Sequence, residues 1–209
     1  MTVRKEIGNG TLAVVYRVWN ASTGEQYALK IPKGNSFDAG AWDRETCIMD
    51  RIDHKHIVAL LDSSPPPAPW LHLEYLPEGS VGDHLEAGRP FSHLECKQIL
   101  AQASDALAYL HMQDPQIVHR DVTPNNILIL HHRRGDLFIK LANFGIPREE
   151  DTPRTICGSY LYLASEMYEA NAIPLGRRPA YMALVDIWSL GVVLVQLLVE
   201  IPSEVLQFL

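Results

Sequence analysis

Val118-His119-Arg120-Asp121-Val122-Thr123-Pro124-Asn125-Asn126-Ile127-Leu128 sets an aspartate and an asparagine in one polar loop ahead of a β-branched apolar run. An aspartate can accept a proton from a hydroxyl nucleophile or orient it. An asparagine oxygen can ligate Mg²⁺. The spacing is that of an H-R-D-x-x-x-x-N catalytic loop. All four defining residues are present, so a chance match is improbable.

Upstream of this loop the chain reads mostly as strand. Thr11–Tyr16 and Tyr27–Ile31 are apolar, aromatic or β-branched, and the turn residues Asn20–Gly24 between them predict a hairpin. Trp42, Glu45, Ile48, Met49 and Ile52 recur at three and four, which predicts a helix. Ile57–Leu61 and Trp70–Leu76 read as strands, and Pro65–Pro69 as a stiff connection. Ser92-His93-Leu94-Glu95 fits a capping box, and Leu94, Ile99, Leu100, Ala103, Leu107 and Leu110 mark one face of the helix it opens. Ile127–Leu130 and Leu137–Leu141 predict a second hairpin, with His131 and His132 at its tip. An apolar helix is expected over Val185–Val199. Strands first and helices later suggest two lobes joined near Leu76-Pro77-Glu78-Gly79.

Two upstream features add chemistry. Gly8 and Gly10 leave backbone N–H groups open to phosphate oxygens. The chain continues past them as strand, which argues against a dinucleotide-binding loop, where a helix opens at that point. Lys30 ends an apolar strand, and Glu45 lies on the core-facing stripe of the next helix. A glutamate there is costly unless paired, and Lys30 is the economical partner.

Composition narrows the function classes. The chain has 209 residues, 47% hydrophobic and 21% charged, enough apolar material for a core. Its balance of 18 basic and 25 acidic residues, net −7, disfavours an electrostatic grip on nucleic acid or anionic lipid. Cys47, Cys96 and Cys157 show neither a metal pair nor a disulfide framework, and the N-terminus lacks a signal-peptide apolar stretch. No run approaches about 20 apolar residues. These features suggest a cytoplasmic chain, with the nucleus as an alternative compartment. His54, His56, His131 and His132 read as structural or solvent-facing.

The ordered set of motifs resembles the eukaryotic protein kinase catalytic domain, on the Ser/Thr side. It runs from the Gly8/Gly10 loop through Ala28-Leu29-Lys30, Glu45, the hinge Glu74-Tyr75-Leu76 and His119-Arg120-Asp121. Asn143-Phe144-Gly145, Cys157-Gly158-Ser159, Ala164-Ser165-Glu166 and Asp186–Gly191 follow. Small-molecule kinases generally lack the last three, so protein is the implied substrate. The resemblance implies an α+β, two-lobed fold across residues 1–209. Residues 1–76 would form an ATP-binding lobe with an antiparallel sheet and one helix. Residues 77–209 would form a mostly helical, partial catalytic lobe. Ile7, Val15, Ala28 and Leu128 would sandwich adenine, with Leu73 as gatekeeper and Glu74 and Leu76 offering backbone hydrogen bonds. Lys30, braced by Glu45, would hold the phosphates of ATP. Asp121 would be the base, and Asn126 would ligate Mg²⁺. Met49, Leu60, Phe144 and His119 would form an internal spine with Asp186 at its foot. Thr155 is a candidate phosphosite, and its phosphate would meet Arg120. The implied partner is a protein substrate or a regulatory protein.

The pattern also breaks. Asn143 replaces the metal-binding aspartate of D-F-G, so a weakened metal site is expected. Two unit charges about 4 Å apart attract by about 4 kcal/mol at an effective dielectric near 20. At about 1.36 kcal/mol per decade, losing that attraction is worth on the order of 10³-fold in rate. Thr123 stands where a phosphate-holding lysine is usual. Ser165 and Ala13 are milder changes. The resemblance further implies helices beyond Leu209, one of which supplies an arginine for Glu166, so a truncated chain with Leu194, Leu197, Leu198 and Val199 partly bare is expected. These departures imply an impaired kinase or, alternatively, a pseudokinase that acts as a nucleotide-sensing or scaffold module.

Overall fold

The computed structural model describes residues 2–10, 12–34, 39–133, 135–144, 159–162, 164 and 182–199. The chain divides into two compact units. One comprises residues 1–54 and 58–75, the other 55–57 and 76–209.

In the first unit, β1 (Thr2–Asn9), β2 (Ala13–Asn20), β3 (Gln26–Pro32), β4 (Leu60–Ser64) and β5 (Trp70–Glu74) form one antiparallel sheet in the order β1-β2-β3-β5-β4. The β2–β3 turn follows its residues. The Asn20 side chain accepts from the Ser22 N–H at 2.9 Å, and Gly24 takes φ +76°, a conformation that glycine adopts without strain. Helix α1 (Ala39–Arg51) buries Trp42, Glu45 and Met49, and Val18, Leu29 and Leu71 complete the core of this unit. The strand expected over Ile57–Leu61 begins instead at Leu60. Ile57 belongs to the other unit, where it makes a single bridge to Leu141.

The second unit contains α2 (Val81–Glu86), α3 (His93–His111), the hairpin β6 (Ile127–Arg133) and β7 (Asp136–Leu141), and α4 (Met182–Val199). The capping box at α3 is present in both directions. Ser92 N–H donates to Glu95 Oε2 at 2.7 Å, and Glu95 N–H donates to Ser92 Oγ at 3.4 Å. Cys96, Ile99, Ala103, Ala106, Leu107 and Leu110 form the buried stripe of α3. Leu94, expected on that stripe, is exposed, and Cys96 is the first buried residue of the helix. Gln102 stitches α3 to the outer edge of β7. Its amide donates to Leu137 O at 2.6 Å and its oxygen accepts from Ile139 N at 2.8 Å, which satisfies an otherwise open strand edge.

His131 and His132 do not sit at the hairpin tip. β6 runs on to Arg133, and the turn falls at Gly135, φ +73°. His132 is partly buried, with Nε2 2.6 Å from Glu95 Oε1. Burial pushes the Glu95 carboxyl up, but hydrogen bonds from His132 and Ser92 outweigh it and hold the group below its ordinary value. On α4, Val185, Asp186, Ser189, Leu190, Val193, Gln196 and Leu197 are buried, whereas Leu198 and Val199 are exposed. Leu197 thus departs from the expectation of a bare end, because it packs with Ile99 and Leu100 of α3.

Candidate active site

The first unit presents one group of predicted site residues on one sheet face. Register pairs Val15 with Lys30 and Ala28 with Leu73, and Ala28 and Lys30 are two apart, so all four share that face. Lys30 Nζ lies 2.5 Å from Glu45 Oε1 of α1, with both side chains largely buried. The β1–β2 turn is closed by Gly10 N–H on Ala13 O at 3.0 Å and steadied by Lys33, whose N–H donates to Leu12 O and whose ammonium donates to Asn9 Oδ1. A Cβ on Gly8 or Gly10 would meet its nearest neighbour at 3.6 Å, an ordinary contact. Packing therefore does not demand glycine there. What the glycines supply is an approachable backbone. Ile7 falls in the register break of β1 and is 46% exposed. Glu74 N–H donates to Ala59 O at 3.0 Å, and the Glu74 carboxylate accepts from Ala59 N at 3.3 Å.

The second unit builds the other group around Asp186, which is fully buried on α4. Its Oδ2 accepts from His119 N–H at 2.8 Å and lies 2.8 Å from His111 Nε2. Its Oδ1 accepts from Arg120 N–H at 2.7 Å. Those bonds hold Arg120 in the left-handed region, φ +64°, a conformation unfavourable for a long side chain. His119 is neutral by its partners. Nδ1 accepts from Asp121 N–H at 3.3 Å, so Nε2 is the donor to Ala142 O at 3.1 Å. Burial pushes its pKa below the ordinary 6.5, against the opposing pull of Asp186 and Asp121. The Phe144 ring lies 5.0 Å from His119, centroid to centroid.

Asp121 and Asn126 are joined directly. Asn126 Nδ2 donates to Asp121 O at 2.8 Å and to Asp121 Oδ2 at 2.7 Å. The 3₁₀ turn Pro124–Asn126 sets this spacing, with Asn126 N–H on Thr123 O at 3.0 Å. Thr123 is buried. Asn143, at φ +68°, places Nδ2 3.4 Å from Asp121 Oδ2 and 3.5 Å from Asn126 Oδ1. Leu128 is half-buried on β6, opposite Ser80 in an isolated bridge, and Leu76 is buried. Glu166 and Thr155 lie outside the described residues, as do Gly145 and Gly158.

Several supporting residues escaped sequence reasoning. His111 is one, and Gly82 of α2 is another. A Cβ on Gly82 would stand 1.7 Å from Asn125 Oδ1, so only glycine lets Asn125 of the Asp121 loop lie against that helix. An isolated glycine inside Val81–Glu86, where it costs helix stability, was the available signal. Tyr162 is held by α4 through its hydroxyl on Gln196 Oε1 and through its carbonyl, which accepts from Ser189 Oγ at 2.5 Å. Burial pushes its phenol up to about 12.

A sheet-borne lysine braced by a helical glutamate, and an aspartate–asparagine loop held by a buried aspartate, are parts of a protein phosphotransferase fold. The chain belongs to the protein kinase domain family, whose model matches residues 1–204. It is 31% identical over 204 residues to serine/threonine-protein kinase DCLK1 of Rattus norvegicus, an alignment covering 96% of this chain and 45% of that protein. It is 31% identical over 206 residues to ovarian-specific serine/threonine-protein kinase Lok of Drosophila melanogaster, covering 92% and 42%. Among solved structures it is similar to Rad53 1-466 in complex with AMP-PNP, with TM-score 0.72 and 25% identity, over 94% of this chain and 47% of that one. The chain spans less than half the length of each of these proteins. The fold is that of a protein kinase: an antiparallel sheet with a helix, followed by a mainly helical unit.

The family implies ATP and Mg²⁺. The apolar face of Val15, Ala28 and Leu73 with its lysine suits a nucleotide. The expected donor pair, Asn126 and Asn143, does not suit Mg²⁺, which favours hard carboxylate oxygens, because both are neutral carboxamides. Two neutral carboxamides flank Asp121, and both turn nitrogen toward it. Among the described residues no cluster of three or more His, Cys, Asp or Glu could hold a metal. No helix among them is long and apolar enough to cross a membrane.

Proposed function

We propose that this domain binds ATP and transfers its γ-phosphate, slowly, to Ser/Thr hydroxyls of a protein substrate. The observation that carries the reading is the Asp121–Asn126 pair in a loop held by Asp186. Asp121 takes the proton of the attacking hydroxyl. The new O–P bond forms as the β–γ bridging bond breaks and ADP leaves. Lys30, steadied by Glu45, meets the α- and β-phosphates, and the N–H groups of Gly8 and Gly10 line their path. Ile7, Val15, Ala28 and Leu128 take adenine. Glu74 N–H is engaged with Ala59, so its share of the adenine contact falls to the carbonyl, while Leu76 offers its N–H. Asn143 and Thr123 account for the slowness, each removing a charge that the reaction uses. Thr155 is the proposed phosphosite. The free thiols of Cys47 and Cys96 suit a cytoplasmic chain.

A second reading is favoured by Asn143, whose amide reaches the base itself. It is a pseudokinase that signals through nucleotide occupancy to a protein partner. A phosphotransfer assay of the purified chain on protein and peptide substrates, beside Asp121→Ala, separates the two. Slow transfer abolished by Asp121→Ala supports the enzyme. Nucleotide binding with no transfer above the variant supports the pseudokinase. Absence of nucleotide binding refutes both.

A further inference from the structure

The orientation of the two carboxamides is dictated by their partners. Toward Asn126, Asp121 presents two acceptors, its carbonyl and its carboxylate, so Asn126 must turn Nδ2 toward it. That directs Asn126 Oδ1 to the other side. There it meets Asn143 Nδ2, which also reaches Asp121 Oδ2. The two hydrogens of one amide nitrogen thus address two oxygens, Asn126 Oδ1, the oxygen expected to ligate a divalent cation, and Asp121 Oδ2 of the expected base. Admitting a cation at Asn126 Oδ1 requires the Asn143 nitrogen to leave that oxygen, and the amide brings only a neutral oxygen in return. Mg²⁺ gives up water reluctantly and gains most from carboxylates.

Resting on the proposed nucleotide site, we infer that the Asn143 carboxamide takes the place of a divalent cation, so that nucleotide binds to this chain without one. The ligand class is a metal-free adenine nucleotide. Replacing Asn143 with aspartate converts the donor into a second carboxylate near 3.4 Å from the first. Like charges so placed repel unless a cation lies between them.

The test uses the whole 209-residue chain. Dissociation constants for ATP and ADP are measured with excess Mg²⁺ and with excess EDTA. The expected ratio is within about twofold for the natural chain and about tenfold or more in favour of Mg²⁺ for Asn143→Asp. Separately, Mn²⁺ is titrated without nucleotide, and paramagnetic broadening of the Asn126 and Phe144 amides is followed by NMR. Broadening is expected in Asn143→Asp and absent in the natural chain at the same Mn²⁺ level. Asn143→Ala, which removes the amide without adding charge, serves where the aspartate variant fails to fold, and it is expected to broaden weakly. Tenfold tightening of nucleotide by Mg²⁺ in the natural chain, or equal Mn²⁺ broadening in the natural chain and the variants, overturns the inference. Failure of nucleotide to bind under either condition refutes the proposed function instead, and the Mn²⁺ titration then decides the metal exclusion alone.

Discussion

Asp186→Asn tests the anchoring of the Asp121 loop. The carboxylate is fully buried and receives three contacts, His119 N–H and His111 Nε2 on Oδ2 and Arg120 N–H on Oδ1, all within 2.8 Å. Asparagine keeps the shape but only one acceptor oxygen. In either orientation an NH₂ then faces one of the two backbone N–H groups, and the remaining bond loses its charge. Hydrogen bonds to a charged group contribute about 1.5–3 kcal/mol, and an orphaned buried donor costs about 1–3 kcal/mol. Removing one partner of a buried charged network sums to about 3–5 kcal/mol. The left-handed Arg120 adds to this, because its unfavourable backbone is held by one of those bonds. Amide hydrogen exchange reads the effect locally, which matters for a chain of two units that need not unfold together. Protection of the His119 and Arg120 amides should fall by about 10² to 10³-fold, at about 1.4 kcal/mol per decade. The buried amides of α3 should change far less. Unchanged protection at both loop amides would refute the anchoring role of Asp186. Equal loss across α3 would show that the residue supports the whole unit rather than the loop.

Further outcomes follow from the same contacts. Gly82→Ala should displace Asn125, since the new Cβ overlaps its Oδ1, and the shift should appear as changed Asn125 and Asn126 NMR signals with a stability loss of about 1–3 kcal/mol. Glu45→Gln should lower nucleotide affinity and destabilise the first unit by about 1.5–3 kcal/mol, read by calorimetry, because the Lys30 ammonium loses a carboxylate 2.5 Å away in a largely buried setting. Stability of the second unit should fall as pH drops below about 6.5. His119 is held neutral when folded, its pKa is depressed, and the unfolded chain therefore binds the extra proton. The slope should reach at most about 1.4 kcal/mol per pH unit, ending at the lowered folded value, and His119→Phe should flatten the urea-midpoint profile between neutral and mildly acid pH.

The parts of the fold that were legible in the sequence are those set by local rules. Ser92 and Glu95 announce the start of α3 because a capping box needs only four residues. Asn20 and Gly24 announce the β2–β3 turn through their own backbone preferences. Glu45 was legible as a misplaced charge on an apolar stripe, and the structure sets it against Lys30. Where the reading failed, a tertiary contact decided. Ile57 has the composition of a strand, yet its one bridge is to Leu141, more than eighty residues on. His131 and His132 look like turn residues beside Arg133, Arg134 and Gly135, but pairing with β7 carries the strand through them.

The candidate site divides along the same line. Asp121 and Asn126 are five residues apart, and one 3₁₀ turn brings them together, so a linear pattern finds them. Arg120 and Asn143 cannot be placed that way, because a positive φ at a non-glycine residue is unfavourable locally and is imposed from elsewhere. For Arg120 the imposing group is Asp186, sixty-six residues later. For Asn143 it is the junction at Ala142, whose N–H donates to Asn126 O and whose carbonyl accepts from His119. The two strained residues are thus the points where the Asp121 loop and the Asn143 segment are tied to the rest of the unit. Asn is one of the few side chains that tolerates this conformation, having a short polar side chain that can bond locally. At Asn143 the same amide that suits the backbone also reaches Asp121 and Asn126. Local backbone tolerance and the amide contacts to Asp121 and Asn126 therefore coincide at one residue, and Asn143→Asp should perturb the electrostatics around Asp121 far more than the path of the chain.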